Sequence, residues 1–226
     1  METNIIVYIL LSVAIGYVVL KFRRSRQLAY IATYQFHPNI VLKVKVKYPH
    51  LSDQDVDYVF EALRDYFHIC HVAKKRMVAM PSQVVDVAWH EFILFTRNYK
   101  QFCQKAIGRF LHHTPTQAMS SPTLAQEGIK RAWRLACAKE RISPTSPTRL
   151  PRLFAIDGTL RIEDGFKYSI NCKDKSSPMN RDGYCAGHIG CASGCAGDSS
   201  SSGGSGGFFD SSGDASCGSS CGGGGD

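Results

Sequence analysis

Ile5 to Leu20 contains no charged side chain, and this run constrains the chain more than any other feature. Only Tyr8, Ser12, Gly16 and Tyr17 interrupt its aliphatic character. With Asn4 and Lys21-Phe22 at its ends, it approaches the roughly 20 residues a helix needs to cross about 30 Å of hydrocarbon. A secretory signal places basic residues before its apolar run and a small-residue cleavage site after it. Here the order is reversed: Glu2 is the only charged side chain before the run, and Lys21, Arg23, Arg24 and Arg26 follow it. The expectation is an uncleaved single-pass anchor over residues 1–26. The positive-inside rule then places the N-terminus outside and the soluble part in the cytoplasm.

The other end of the chain differs sharply in composition. Arg181 is the last basic residue, and Asp182, Asp198, Asp210, Asp214 and Asp226 are the only charges after it. From Ser199 onward Gly and Ser dominate, so residues 182–226 are expected to be a disordered Gly/Ser/Cys-rich tail. The whole chain carries +8, which leaves about +13 on the first 181 residues. Beside a membrane anchor, attraction to anionic lipid headgroups accounts for that excess. No basic stretch with interleaved aromatics on a nucleic-acid fold is present, so nucleic acid is not an expected partner.

Nine cysteines read differently according to compartment. In a reducing cytoplasm, packing or metal binding is favoured over disulfides. Cys70, Cys103, Cys137 and Cys172 sit among helical patterns and read as small apolar core residues. Cys191, Cys195, Cys217 and Cys221 form two pairs at zinc-knuckle spacing, although the Ser/Gly linker between them offers no core. Incidental thiols in a low-complexity tail are the plainer reading.

Residues 27–181 are long enough for one compact domain, expected to be mainly α. Ser52 with Asp55 opens one helix, along which Val56, Val59, Phe60, Leu63, Phe67 and Cys70 form an apolar stripe. Ser82 after Pro81 caps the next, whose buried face is Val85, Ala88, Trp89, Phe92 and Phe95. Asn98 with Gln101 marks a further start, and Gly108 is placed to end that helix in the left-handed conformation. Ser121-Pro122 opens a fourth helix, lined by Leu124, Ile129, Ala132, Trp133 and Ala136, before Ser143-Pro144 breaks it. Leu42 to Lys47 alternates apolar and basic residues and is expected to be a strand or an extended arm.

Chemistry-bearing residues concentrate between Met80 and Pro115. Asp86 and His90 are four apart and share a helix face. Cys103 and the His112-His113 pair follow, and with Asp86 and His90 they form a candidate ligand set for zinc or iron. The competing reading is a polar network in which Asp86 orients His90 and ties its helix to the loop carrying His112 and His113. His90-Glu91 begins like a zinc-protease helix, but the second His of that motif falls at Leu94, so that reading fails. Trp89, Tyr99 and Trp133 read as core or helix-contact residues.

Val85-Asp86, Trp89-His90, Tyr99, Cys103, Gly108 and His112-His113, taken in order, resemble the glycine-rich domain-containing protein family. Bacterial membrane-anchored proteins of unknown function are similar over Phe36 to Tyr168, including Leu150-Pro151 and Asp164-Gly165-Phe166. Plant-type members carry a second His two residues after Trp-His, where this chain has Phe92. The resemblance implies a fold and no reaction. The expected function is a membrane-anchored cytosolic interaction or scaffold protein with a protein partner. The alternative is a metal-dependent hydrolase or oxidoreductase built on the central motif.

Overall fold

The computed structural model describes residues 2–113, 122–170, 184–185 and 189. Ser121, Cys172 and nearly all of the expected tail, including its four paired cysteines, lie outside the described residues.

The chain is mainly α, with a long apolar helix at its N-terminus. Helix α1 spans Glu2–Thr33 without a break, about 48 Å of helix. It is long and apolar enough to cross a membrane, with a mean hydropathy of 2.4 over its most apolar stretch. Residues 5–26 are exposed, whereas Gln27 and Leu28 are half-buried and Ile31 is buried in the core. One helix therefore serves two environments, and it runs straight through the expected boundary after residue 26.

Helix α2 is Pro38–Lys47, which overturns the expectation of a strand or extended arm at Leu42 to Lys47. Pro38 stands in its first turn, and the His37 ring accepts the Asn39 N–H. The alternation of LKVKVK is real, but Ile40 and Val44, one turn apart, are what the core takes up. Packing of that stripe against a later helix outweighs the β preference of the valines.

Helix α3, Asp53–Ala73, is the centre of the domain and packs against α1, α2 and the helices that follow. Its N-terminus is closed by a complete capping box: the Ser52 hydroxyl accepts the Asp55 N–H and the Asp55 carboxylate accepts the Ser52 N–H. The expected apolar stripe is buried in full. Helix α4, Gln83–Leu94, starts at the expected cap, where Ser82 accepts the Val85 N–H. Helix α5, Thr96–Phe102, begins two residues before Asn98, against the expected start, because α4 ends at Leu94 and Phe95 alone joins the two. A π-helical turn, Cys103–Ile107, follows directly. Helix α6, Pro122–Glu140, opens on its proline as expected and stops before Ser143-Pro144.

Helix α7, Arg152–Thr159, completes the helical set among the described residues. A two-residue parallel ladder then pairs Tyr168–Ser169 (β1) with Tyr184–Cys185 (β2). Ile189 also packs against the core, so ordered contacts reach past the expected tail boundary at residue 181. The core between α1, α3, α4 and α5 is aromatic: Tyr34, Phe67 and Phe92 all meet Phe102, with ring centroids 4.7 to 5.3 Å apart.

Candidate metal centre

Helix α4 buries one side and leaves the other at the surface. Val84, Val85, Ala88, Trp89 and Phe92 enter the core, while Asp86 and His90 stand one turn apart on the outer edge. What crosses that edge is decided by the segment after α5. Gly108 ends the π-turn at φ +77°, with its N–H on the Cys103 carbonyl at 2.9 Å. A side chain at that φ is strained, so glycine suits the reversal. The chain then returns along α4, held by Tyr99, whose hydroxyl donates to the Leu111 carbonyl and accepts the Trp89 indole N–H at 3.1 Å.

This return sets His113 over α4. Its ring lies against Trp89, centroids 4.4 Å apart, with 11% of the side chain exposed. Its Nε2 is 2.8 Å from Asp86 Oδ1. His90 stands edge-on to the same ring, planes 78° apart, with its Nε2 3.1 Å from His113 Nε2 and 3.7 Å from Asp86 Oδ2. Asp86, His90 and His113 thus each bring one donor atom into a space where all lie within 4.8 Å of one another.

The other two residues of the expected set go elsewhere. Cys103 is fully buried, and burial pushes its thiol pKa up, opposed by the Leu111 N–H and the Tyr99 hydroxyl beside it. His112 is exposed and turned to Phe110, ring centroids 4.8 Å apart. Alternate residues of an extended segment face opposite ways, so only one of the two adjacent histidines can face α4.

Asp157 of α7 also bears on this region, and sequence reasoning did not single it out. It is 2% exposed, and its carboxylate accepts the Ser82 hydroxyl and the Gln83 and Val84 N–H groups at the head of α4. It fixes the helix that carries Asp86 and His90. Gly165 packs close against Asp157, so that a Cβ there would stand 2.7 Å from the Asp157 Cβ.

Neither a curated protein nor a solved structure matches this chain. One family model does, over residues 26–189, from the basic flank of α1 to the last described residue. That stretch holds every helix of the domain and all three members of the Asp86, His90, His113 group. The chain belongs to the UCP032817-like family.

Proposed function

We propose that this protein is a membrane-anchored interaction or scaffold domain, held against the cytoplasmic face of a bilayer by α1 and by a basic collar around it. The collar is the observation that carries the reading. Helices α1 and α3 pack antiparallel: Arg64 Nε donates to the Tyr34 carbonyl at 3.0 Å, and Ile31 and Ala32 line a shallow cavity with Arg64, Asp65 and His68. Further back, His68 and His71 both feel the charge of Arg24. α3 ends at Ala73, two residues past His71, so the turn carrying Lys74, Lys75 and Arg76 follows at the basic flank of α1.

Arg109 donates to the Lys74 carbonyl and adds a cation at that turn, and Lys105 reaches over the Tyr30 ring farther along α1. The chain has no acidic residue from 66 to 85 or from 92 to 126. Of the acids of α3, Asp53, Asp55, Asp57 and Glu61 lie toward its opposite end, and Asp65 is paired with Lys139. Each cation held near an anionic leaflet contributes about 1 kcal/mol.

A protein partner is supported by the outward side of α2. Leu42 and Val46, one turn apart, are 58% and 69% exposed, with Lys43 and Lys47 beside them. The resemblance of the Val85 to His113 motif to glycine-rich domain-containing proteins remains part of this proposal. The test is a pair of fusions after Asp226 in a bacterial host. A cytoplasmic reporter should be active and a periplasmic phosphatase inactive; an active phosphatase would reverse the orientation and remove the collar from the cytoplasmic leaflet.

A further inference from the structure

We infer that Asp86, His90 and His113 bind a first-row divalent transition ion, zinc or iron(II), with its remaining coordination positions open to solvent. Two imidazoles and one carboxylate form a donor set of intermediate hardness, suited to these ions and poor for magnesium or calcium. Ligand atoms about 2.1 Å from one ion are separated by roughly 3.0 to 3.4 Å in octahedral or tetrahedral arrangements. Here His113 Nε2 is 2.8 Å from Asp86 Oδ1 and 3.1 Å from His90 Nε2. His90 Nε2 is 3.7 Å from the other carboxylate oxygen, so one donor atom from each residue lies within 4.8 Å of the others, close to that range.

The purely hydrogen-bonded account explains less. His113 and Asp86 satisfy each other, but His90 Nε2 faces the two nitrogens of another imidazole, at 3.1 and 3.3 Å, and the nearer carboxylate oxygen is 3.7 Å away. Among the described residues, the ion pairs of Asp86 are with these two histidines and with no lysine or arginine. No permanently charged side chain therefore stands against this carboxylate among the described residues.

Rigidity is distributed as a binding site requires. His113 is walled by Trp89 and held by the Tyr99 hydrogen bonds, and Asp86 is in the first turn of a helix anchored by Asp157. His90 is the mobile member: its side chain is 51% exposed, so it can turn about χ2 to complete the set, and solvent can reach the ion from that side. No thiol is among these ligands.

The test uses the full-length protein in detergent, stripped with chelator and titrated separately with Zn²⁺, Fe²⁺ under anaerobic conditions, and Co²⁺ as a spectroscopic stand-in. The expected result is about one tightly held ion per chain, a Co²⁺ spectrum without thiolate charge transfer, and retention against excess Mg²⁺. The relative affinities for Zn²⁺ and Fe²⁺ assign the ion. His90→Ala, at an exposed position that leaves folding intact by circular dichroism, should weaken binding at least about 100-fold, while His112→Ala should leave it unchanged. Absence of tight binding in the parent protein overturns the inference. So does binding that survives His90→Ala but disappears when the cysteines are alkylated. Because these readouts are independent of orientation in the membrane, the site can fail while the anchored-domain reading stands, and the reverse.

Discussion

The Asp157 carboxylate accepts the Ser82 hydroxyl at 2.7 Å across 75 residues of chain, joining α7 to the head of α4. Three backbone N–H groups complete its shell: Gln83 at 2.7 Å, Phe166 at 2.9 Å and Val84 at 3.2 Å. Burial raises the pKa of this carboxyl, and these four hydrogen bonds oppose the rise. Asp157→Ala strands the donors inside the protein and should cost roughly 2 to 4 kcal/mol. Chemical denaturation measures the loss. A variant as stable as the parent would mean that water replaces the carboxylate without cost.

Tyr99→Phe isolates the clasp that positions His113. It deletes the hydroxyl shared by the Trp89 indole and the Leu111 carbonyl while keeping the buried ring. The expected cost is about 1 to 3 kcal/mol. Hydrogen exchange should report faster opening of residues 109–113 with little change in α3. Uniform acceleration across the domain would assign Tyr99 to the general core instead.

The thiols of the helical domain should be inert. Burial pushes Cys70 up to about 12, Cys137 up to about 11, and Cys103 upward as well. Raised values leave almost no thiolate at pH 8, and the thiolate is the reactive form. Iodoacetamide at that pH should spare all three in the folded protein and modify them in denaturant, as read by peptide mass spectrometry. Fast labelling of Cys103 in the folded state would contradict its place in the core.

Acid should weaken the contact between α1 and α3. Burial lowers the pKa of His68, helped by Lys139 and Arg24, and burial with Arg24 lowers that of His71, whose Nδ1 donates to the Ala106 carbonyl at 3.0 Å. A folded value below the unfolded one means that the unfolded chain binds the proton more readily. Their contribution is therefore complete above the unfolded value of about 6.5 and is lost as pH falls below it. The thermal midpoint should drop between pH 7 and pH 5, and His68→Gln with His71→Gln should flatten that slope. An unchanged slope would place the acid sensitivity elsewhere.

Legibility in the sequence follows the range of the forces involved. The Ser52 and Ser82 caps, the α3 stripe and the left-handed Gly108 are settled within a few residues, and each reads correctly from local pattern. Helix α2 misleads because its lysines alternate with valines at the period of a strand, while Ile40 and Val44 obey the period of a helix. Packing on α4 decides between the two. In the candidate centre, Asp86 and His90 follow from helical spacing alone. The choice of His113 over His112, and the withdrawal of Cys103 into the core, depend on how the chain reverses at Gly108 and is caught by Tyr99. Asp157 was out of reach, since three of its four partners are 73 to 75 residues away and nothing near it in sequence announces them.

The unbroken course of α1 turns chain length into geometry. Eleven residues separate Leu20, 67% exposed on the apolar stretch, from Ile31 in the core, which sets about 16 Å of helix between the two. With no hinge between them, each residue inserted there would lift the domain by about 1.5 Å and rotate it by about 100°. The bearing of the outward side of α2, and of the opening beside His90, is thereby tied to a count of residues. Adding about seven residues, two turns, would nearly restore it, whereas one or two would turn these surfaces well away.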